Sequence, residues 1–347
     1  MVPRLFPRAN SPQDRDRNGE RARDAVVAVD IGGTSLKGAL VDRAGAVVAR
    51  RTVGTHSEAG DARSNLLGLI ESLVVQGSRQ RLHLAGIGVV SPGLVDANSG
   101  SVRYAANLGW ENLALRQAVQ ERFPVSVAVD HDARGGALAE HFHLKSLERH
   151  SDNFLFIPIG TGVASSLLIN GAALRGDTGA AGELGHIPVI PGGEKCACGQ
   201  RGCLESYASA TQIVARYRSK GGVGALSTPE VVGLLGRDRV ADEVWSEAIN
   251  ALATGIVVMT ATTDPGLVVI GGGLSNAGDA LLRPLRDRVQ AMLSWRTAPP
   301  IVVSSLGTEA GLIGAAVLAW SDEALPASFA GVMYQGLRES DYGRKLA

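Results

Sequence analysis

The stretch AVVAVDIGGTSLKGALVDRAGAVVARRTV, residues 25–53, decides the fold of this chain. It alternates short β-rich runs with glycine turns, which predicts three consecutive antiparallel strands. The first predicted strand ends at an acid, Asp30, and the next turn contains two adjacent glycines, Gly32 and Gly33. Because glycine has no Cβ, such a turn lets backbone N–H groups approach an anion closely. A plain β-hairpin is the simpler interpretation of the same turn.

The same design recurs in the second half of the chain. Residues 153–174, NFLFIPIGTGVASSLLINGAAL, again predict two strands around a glycine turn. Strand-to-helix patterns are predicted at 125–142, 267–293 and 301–320, and helices near 61–76, 209–218 and 240–262. These patterns favour an α/β fold made of two related halves. Since no linker rich in Pro or Ser separates the halves, we expect them to be closely joined.

The composition argues against several classes of protein. The 347 residues include 45% hydrophobic and 20% charged residues, and 34 basic residues balance 34 acidic ones. This neutral charge does not suggest a nucleic-acid or membrane surface, and we expect no apolar run long enough to span a bilayer. Residues 1–24 lack an apolar signal core, so we expect a disordered polar tail and a cytoplasmic protein. An odd count of three cysteines makes a disulfide framework improbable.

Three glycine turns, each after a predicted apolar strand, together indicate phosphate-binding loops. The first is not a Walker A loop, because it lacks the Gly-Lys-Ser/Thr ending and no helix follows it directly. Its threonine and lysine can contact phosphate, and its aspartate can hold Mg²⁺ through water. The candidate ATP- and Mg²⁺-binding residues are Asp30, Gly32, Gly33, Thr34, Lys37, Gly160, Thr161, Gly162, Gly271, Gly272 and Gly273.

The stretch GELGHIPVIPGGEKCACGQRGCLES, residues 182–206, contains every cysteine of the chain. Its candidate metal ligands are His186, Cys196, Cys198 and Cys203. Four nitrogen and sulfur ligands suit a closed, tetrahedral, structural Zn²⁺ site. A disulfide within Cys-x-Cys would be badly strained, so the remaining alternative is a loop with free thiols.

The glycine turns and the cysteine loop resemble those of the ROK family, named for repressors, open reading frames and kinases, over roughly residues 25–322. The resemblance implies the two-lobed actin-like ATPase (ribonuclease H-like) fold, with a nucleotide and sugar cleft between α/β lobes. The implied N-terminal lobe comprises residues 25–131 and a helix at 308–322. The implied C-terminal lobe comprises residues 132–307 and carries the zinc loop. Residues 323–347 show no strong periodicity, so we expect a loose tail.

The resemblance also implies roles for single residues. In the family, DIGGT binds the terminal ATP phosphates, GTG is the second phosphate loop, and the GGG turn lies beside the adenosine. The catalytic base of the family aligns with Asp132, which would take the proton of a sugar O6 hydroxyl. The implied sugar-binding residues are Asn107, His131, Glu183, His186 and Glu205. The zinc ion of the family shapes the sugar site and performs no chemistry.

Two residues depart from the family pattern. The family has asparagines where this chain has His131 and Arg134. The first of these asparagines contacts sugar hydroxyls near C3 and C4. A neutral histidine also offers one donor and one acceptor, with a different reach, and it can titrate. The departure therefore leaves two candidate substrates: glucose, and an amino sugar altered near C3 such as kanosamine (3-amino-3-deoxyglucose).

The resemblance therefore predicts an ATP-dependent 6-phosphotransferase that acts on a hexose or amino-hexose. ROK repressors carry a winged helix-turn-helix before the first phosphate loop, and we expect the short polar stretch before Asp30 to be unable to hold one. A sugar sensor without catalysis is a third possibility, kept open by the two departures. We expect small-molecule partners only, a sugar and ATP, with neither nucleic acid nor membrane. Family members are commonly dimers or tetramers, so we expect a homodimer or homotetramer.

Overall fold

The hairpin predicted from residues 25–53 is present in the computed structural model of the chain, as three antiparallel strands. The structure describes residues 23–56, 60–148, 152–225, 227–320 and 325–345. They divide into two compact units, here called unit 1 (up to Gly135, and from Leu312 onward) and unit 2 (Gly136–Gly311). The predicted disordered tail lies outside the described residues, except for its last two positions.

Unit 1 contains a five-stranded sheet and a small three-stranded sheet. In the five-stranded sheet the order is β3-β2-β1-β4-β8, and β5-β6-β7 form the small antiparallel sheet. In the larger sheet, β2 runs antiparallel to β1 and β3, whereas β4 runs parallel to β1 and β8. The strands are β1 (Asp24–Ile31), β2 (Ser35–Asp42), β3 (Val47–Gly54), β4 (His83–Ser91), β5 (Leu94–Asp96), β6 (Ser101–Ala105), β7 (Trp110–Leu113) and β8 (Ser126–His131).

Unit 2 repeats this arrangement. Its strands are β9 (Phe154–Pro158), β10 (Ser166–Ile169), β11 (Ala172–Ala173), β12 (Leu267–Gly271) and β13 (Ile301–Val303). Their order is β11-β10-β9-β12-β13, with β10 antiparallel to β9 and β11, and with β12 parallel to β9 and β13. Each unit thus has a three-stranded antiparallel meander extended by two parallel strands. The prediction of two related halves is confirmed.

The helices of the described residues follow the strands as the sequence pattern predicts. The helices predicted near 61–76, 209–218 and 240–262 correspond to the first, fifth and seventh in chain order. The helices are α1 (Ala62–Arg79), α2 (Leu115–Arg122), α3 (Asp132–Ser146), α4 (Glu205–Ala208), α5 (Ala210–Ser219), α6 (Thr228–Gly233), α7 (Arg239–Thr263), α8 (Asp279–Met292), α9 (Ala310–Ala319) and α10 (Phe329–Lys345).

Each five-stranded sheet shares its hydrophobic core with an amphipathic helix. In unit 1, Leu66, Ile70 and Leu73 of α1 recur at helical spacing and join the core that contains the buried residues of β1. The N-cap Asp61 accepts a hydrogen bond from Ser64 N at 2.8 Å, which fixes where α1 begins. In unit 2, α7 supplies the central apolar stripe, including Val244 and Leu252.

Helix α7 is long and apolar enough to cross a membrane by length and composition alone, a feature that the sequence-based expectation did not include. However, 56% of its most apolar 18-residue window is buried inside the structure. Its apolar character is therefore explained by its place in the core of unit 2. This is weak evidence for a membrane span.

The prediction of a loose tail at 323–347 is wrong for most of its length, because Phe329–Lys345 forms α10. Phe329, Met333 and Leu337 are four residues apart and fully buried, and this sparse stripe docks the helix within unit 1. Arg50 Nη1 on β3 donates to the Leu337 carbonyl oxygen at 2.8 Å. The periodicity was present in the sequence, but polar residues and glycines between the apolar positions hid it.

The unit boundaries fall slightly later than the predicted lobe boundaries. The chain passes between units after Gly135 and after Gly311, where the sequence predicts 131/132 and 307/308. The first turn of α3, with Asp132, therefore belongs to unit 1. A buried ion pair between Arg134 and Asp130 joins this turn to the end of β8.

Candidate active site

Parallel pairing places the candidate residues of unit 1 at one edge of the sheet. In the register of β1, β4 and β8, Asp30 pairs with Val90, and Val90 pairs with Asp130. The carboxyl ends of all three strands therefore meet at the same edge, where ligands of open α/β sheets bind. The glycine turn follows β1 at this edge, and Asp132 follows β8.

The first glycine turn is closed by hydrogen bonds within unit 1. Gly32 N donates to Ser35 O at 2.9 Å, and the buried Thr55 donates from Oγ1 to Gly32 O at 2.6 Å. Gly33 and Thr34 are exposed at the tip of the turn. Lys37 lies opposite Asp30 on the paired strand β2. A turn of this shape offers backbone, hydroxyl and ammonium groups to a phosphate.

Asn107 lies beside this turn. A Cβ at Gly33 would be 3.2 Å from Asn107 Nδ2, so a side chain at that position would press on the amide. His56 Nε2 lies 3.4 Å from the Asn107 carbonyl oxygen. Asn107 was predicted as a sugar contact, and the structure brings it next to the predicted phosphate turn.

Asp132 is the first residue of α3, and its carboxylate is partly exposed. Ala133 N donates to Asp132 Oδ1 at 2.6 Å and to His131 Nδ1 at 3.1 Å. The His131 side chain is buried, and its Nδ1 is 3.2 Å from Asp132 Oδ1. His131 Nδ1 therefore lies near both a donor, the Ala133 N–H, and an acceptor, the Asp132 carboxylate.

Arg134, one of the two residues that depart from the family pattern, lies in a buried ion pair. Its Nε lies 2.5 Å from Asp130 Oδ1, and its Nη2 donates to the Val95 carbonyl oxygen at 2.8 Å. The side chains of both charged residues are almost fully buried, at 2% and 4% exposure. The same carboxylate oxygen accepts His131 N at 2.7 Å. The pair therefore ties the end of β8, the start of α3 and strand β5 together.

The second and third glycine turns lie side by side in unit 2. Ile159 N donates to Gly271 O at 3.0 Å, and Leu274 N donates to Ile159 O at 3.0 Å. Gly272 has φ +72°, and a Cβ there would be 2.4 Å from Ile159 O. Only glycine fits such a close approach without a shift of the backbone.

The two glutamates beside the cysteine loop have different surroundings. Glu205 Oε2 accepts a hydrogen bond from Val163 N at 2.9 Å, directly after the second glycine turn. Glu183 precedes a short 3₁₀ turn at Leu184–His186, and its carbonyl oxygen accepts His186 N at 3.1 Å. Both side chains are half-buried.

The four predicted zinc ligands converge. One ligand atom from each of the four residues lies within 4.8 Å of all the others. Cys196 Sγ is 3.8 Å from His186 Nδ1, and Cys198 Sγ is 3.8 Å from Cys203 Sγ. Zn–S bonds of about 2.3 Å at tetrahedral angles place two sulfurs about 3.8 Å apart, so the donor set fits zinc. The cysteines are free thiols in the structure, with no disulfide.

The thiols of this cluster have opposed titration behaviour. Burial and the neighbouring sulfurs of Cys198 and Cys196 raise the pKa of the Cys203 thiol to about 12. Burial also opposes ionisation of Cys196, but hydrogen bonds, chiefly from Cys198, lower the pKa of that thiol to about 7. Crowded sulfurs repel a second negative charge, and a divalent cation removes that repulsion.

Comparison with known proteins decides the family. A model of the ROK family matches residues 26–322 of the chain. The chain belongs to the ROK family. The resemblance stated from the motifs is confirmed, as is the actin-like ATPase fold, because ROK glucokinase structures with this fold match the chain.

The relatives of this ROK chain include kinases and a regulator. A glucokinase of Halalkalibacterium halodurans is 34% identical over 308 residues, which are 83% of this chain and 92% of that protein. A ROK family glucokinase from Streptomyces griseus, solved with glucose and AMPPNP, matches 86% of this chain and 99% of its own, with TM-score 0.71 and 28% identity. A ROK family transcriptional regulator, a homolog of the E. coli MLC protein, matches 91% of this chain and 81% of its own, with TM-score 0.76 and 25% identity.

Sequence reasoning located the candidate residues of this ROK protein but missed several of their partners. Within unit 1 the structure brings together Asp30, the first glycine turn and Asn107, and it puts Asp132 at the same sheet edge. Within unit 2 it brings the other two glycine turns together with Glu205, and it brings the four candidate zinc ligands together. The Asp130–Arg134 pair was missed, although its i, i+4 spacing was visible. The bonds from Thr55 to Gly32 and from Val163 to Glu205 had no sequence signal.

Proposed function

We propose that this ROK protein is an ATP-dependent 6-phosphotransferase that acts on a hexose. The observation that carries the proposal is the Asp132 carboxylate, which is partly exposed at the start of α3 on the sheet edge that also bears the first phosphate turn. A phosphoryl transfer of this kind needs one carboxylate to orient the attacking hydroxyl and one anion-binding turn.

In the proposed reaction, the sugar O6 attacks the γ-phosphorus of ATP. A bond forms between O6 and phosphorus, the bond to the β–γ bridging oxygen breaks, and ADP leaves. Asp132 orients the O6 hydroxyl and accepts its proton. The Ala133 N–H holds Asp132 Oδ1 in place at 2.6 Å, which limits the rotation of the carboxylate.

The phosphates of ATP would be bound by the glycine turns. Backbone N–H groups of these turns, the Thr34 hydroxyl and Lys37 would stabilise the charge that develops on the transferred group. Asp30 would hold Mg²⁺ through water, and that ion supplies positive charge beside the phosphates. The third turn, Gly271–Gly273, would lie beside the adenosine.

The sugar hydroxyls would be bound by the acids and histidine near the zinc loop, together with two residues of unit 1. The proposed contacts are Asn107, His131, Glu183, His186 and Glu205. The zinc ion would be held by His186 and the three cysteines, and its chemistry there is structural, since four protein ligands close the coordination shell. The ligands thereby fix the loop that carries the two glutamates.

Glucose is favoured over an amino sugar by the relatives of the chain, since the glucokinase of Halalkalibacterium halodurans is 34% identical to it. His131 Nδ1 lies near both the Ala133 N–H and the Asp132 carboxylate, so either ring nitrogen can carry the proton of the neutral ring. Nε2 as a donor suits a hydroxyl oxygen near C3, whereas Nε2 as an acceptor suits the ammonium of kanosamine. An amino-hexose kinase is the alternative substrate assignment, and it requires the His131 proton on Nδ1.

The second candidate function is a sugar-responsive regulator or sensor without catalysis. It is favoured by one observation, the match to the ROK transcriptional regulator at TM-score 0.76. The two functions differ in turnover, which a single assay measures.

The test is ATP-dependent phosphorylation of glucose, glucosamine, kanosamine, N-acetylmannosamine and N-acetylglucosamine. We expect glucose to be the best substrate, and we expect Asp132→Asn to lower kcat at least about 100-fold with glucose binding retained. Asp287→Asn, the same chemical change at an exposed position of α8, is the matched control. Faster turnover of kanosamine than of glucose would replace the substrate assignment. Sugar binding without turnover of any sugar would move the protein to the sensor class.

A further inference from the structure

The second phosphate turn is anchored from outside its own hairpin. Within the turn, Gly160 N donates to Gly162 O at 2.9 Å. Val163 follows the turn directly, and its backbone N–H donates to the Glu205 carboxylate at 2.9 Å. These two residues are 42 positions apart in the sequence. A Cβ at Gly162 would be only 2.6 Å from the same Oε2, so the carboxylate packs directly on the turn.

The residues after Glu205 bind the carbonyl side of the turn. Ala210 N donates to Gly160 O at 2.8 Å, and Thr211 Oγ1 donates to Thr161 O at 2.8 Å. Among the described residues, no acceptor is found for the backbone N–H of Thr161 or Gly162. The segment Glu205–Thr211 thus engages two carbonyls and one N–H of the turn, and it leaves two N–H groups for an anion.

We propose that Glu205 is a positioning residue for the nucleotide, in addition to its role at the sugar. Its Oε2 accepts the Val163 N–H and thereby holds the turn Gly160–Val163 in the shape that binds phosphate. Its Oε1 is left for a sugar hydroxyl. This inference rests on the proposed function, because it assumes that the turn binds a nucleotide.

The positioning role of Glu205 predicts an effect on nucleotide affinity that a role in sugar binding alone does not predict. If Glu205 only bound sugar, its substitution would not change nucleotide affinity in the absence of sugar. If it holds the turn, nucleotide affinity falls even without sugar, because the unanchored turn must be ordered when the nucleotide binds. Because Glu205 would contact the sugar and also hold the nucleotide-binding turn, sugar and nucleotide would each change the affinity for the other by the same factor.

The experiment measures binding of Mg²⁺–AMPPNP by calorimetry without sugar. Glu205→Gln keeps an acceptor at the same reach and removes the charge, whereas Glu205→Asp keeps the charge and shortens the reach. We expect Glu205→Gln to bind within about twofold of wild type, and Glu205→Asp and Glu205→Ala to bind about three- to tenfold more weakly. The same three substitutions at Glu183 are the matched controls, and they should leave AMPPNP affinity unchanged while weakening sugar binding.

Unchanged affinity in Glu205→Asp and Glu205→Ala would overturn the positioning role. Loss in Glu205→Gln with none in Glu205→Asp would also overturn it, because charge and not the hydrogen bond would then matter. If Glu205→Ala does not fold, the Gln and Asp variants still decide the question. A wild-type protein that binds no AMPPNP would instead refute the proposed function itself.

Discussion

In unit 1, the glycine turn after β1 is closed by the Thr55 hydroxyl, which donates to Gly32 O just beyond the end of β3. In unit 2, the corresponding turn after β9 is held by Glu205 and by the segment that follows the cysteine loop. The two sheets have the same strand order and the same pattern of parallel and antiparallel pairing. Two sheets with the same topology therefore hold their glycine turns by different residues. One turn is held by a residue next to its own sheet, and the other is held by Glu205 and the segment that follows the candidate zinc loop.

The largest expected effect is that of zinc removal. It should change the hydrogen exchange of the second glycine turn and leave that of the first unchanged. A structural zinc ion contributes on the order of 10 kcal/mol to small metal-bound folds, so its loss should lower the free energy of unfolding of unit 2 by at least about 6 kcal/mol. In hydrogen-exchange mass spectrometry with a chelator, exchange should rise at residues 186–206 and 160–163 and stay unchanged at 31–35.

The control for this experiment is zinc added back in excess, which should restore protection. An equal rise of exchange in both glycine turns would break the comparison, since the first turn is closed by hydrogen bonds within unit 1. Unchanged exchange at 186–206 would contradict the structural role of the metal.

A smaller effect should follow from breaking the buried ion pair of unit 1. Arg134→Ala leaves Asp130 buried without its charged partner, and such a change typically costs about 3–5 kcal/mol. Urea unfolding should report this loss, and kcat should fall because the Asp130 carboxylate also fixes the backbone before Asp132. The double variant Asp130→Asn/Arg134→Gln removes both charges and should recover part of the stability. Equal instability of the single and double variants would show that packing, not charge, matters at this position.

Unit 2 contains a buried carboxyl, Glu140, that is not paired with a described basic residue as Asp130 is. Its substitution should have the smallest effect on stability of the three changes. Glu140 on α3 has no basic partner described, and the Ser304 hydroxyl donates to it; burial raises the pKa of Glu140 from 4.5 to about 7. The folded state therefore keeps a proton that the unfolded state releases between pH 4.5 and 7. Stability from this group is complete below about pH 4.5 and is lost as pH rises through 7.

The measurement is the melting temperature of the wild type and of Glu140→Gln between pH 4.5 and 8. The amide imitates the protonated acid, so the variant should lack this part of the pH dependence and gain about 1–3 kcal/mol over the wild type at pH 8. Parallel pH profiles of the two proteins would mean that Glu140 titrates normally when folded.

The sequence predicted most of the elements, and the reasons for its failures are specific. The strand–turn–strand patterns were strong because buried strands are apolar and their turns need glycine. Helix α10 was missed because its apolar stripe has one buried residue in four over much of its length. The chain divides after Gly135 rather than after residue 131, and the Asp130–Arg134 pair that joins the first turn of α3 to β8 was not predicted.

The sequence by itself determined the two hairpins, the spacing of four metal ligands and the acid at the start of α3. These features are local, and each depends on a period, a turn or a short spacing. Only the tertiary structure decided that Thr55 closes one turn, that Glu205 anchors the other, and that Arg134 faces Asp130 and Val95. Hydrogen bonds between positions 23, 42 and 39 residues apart depend on the path of the chain, and no local pattern encodes that path.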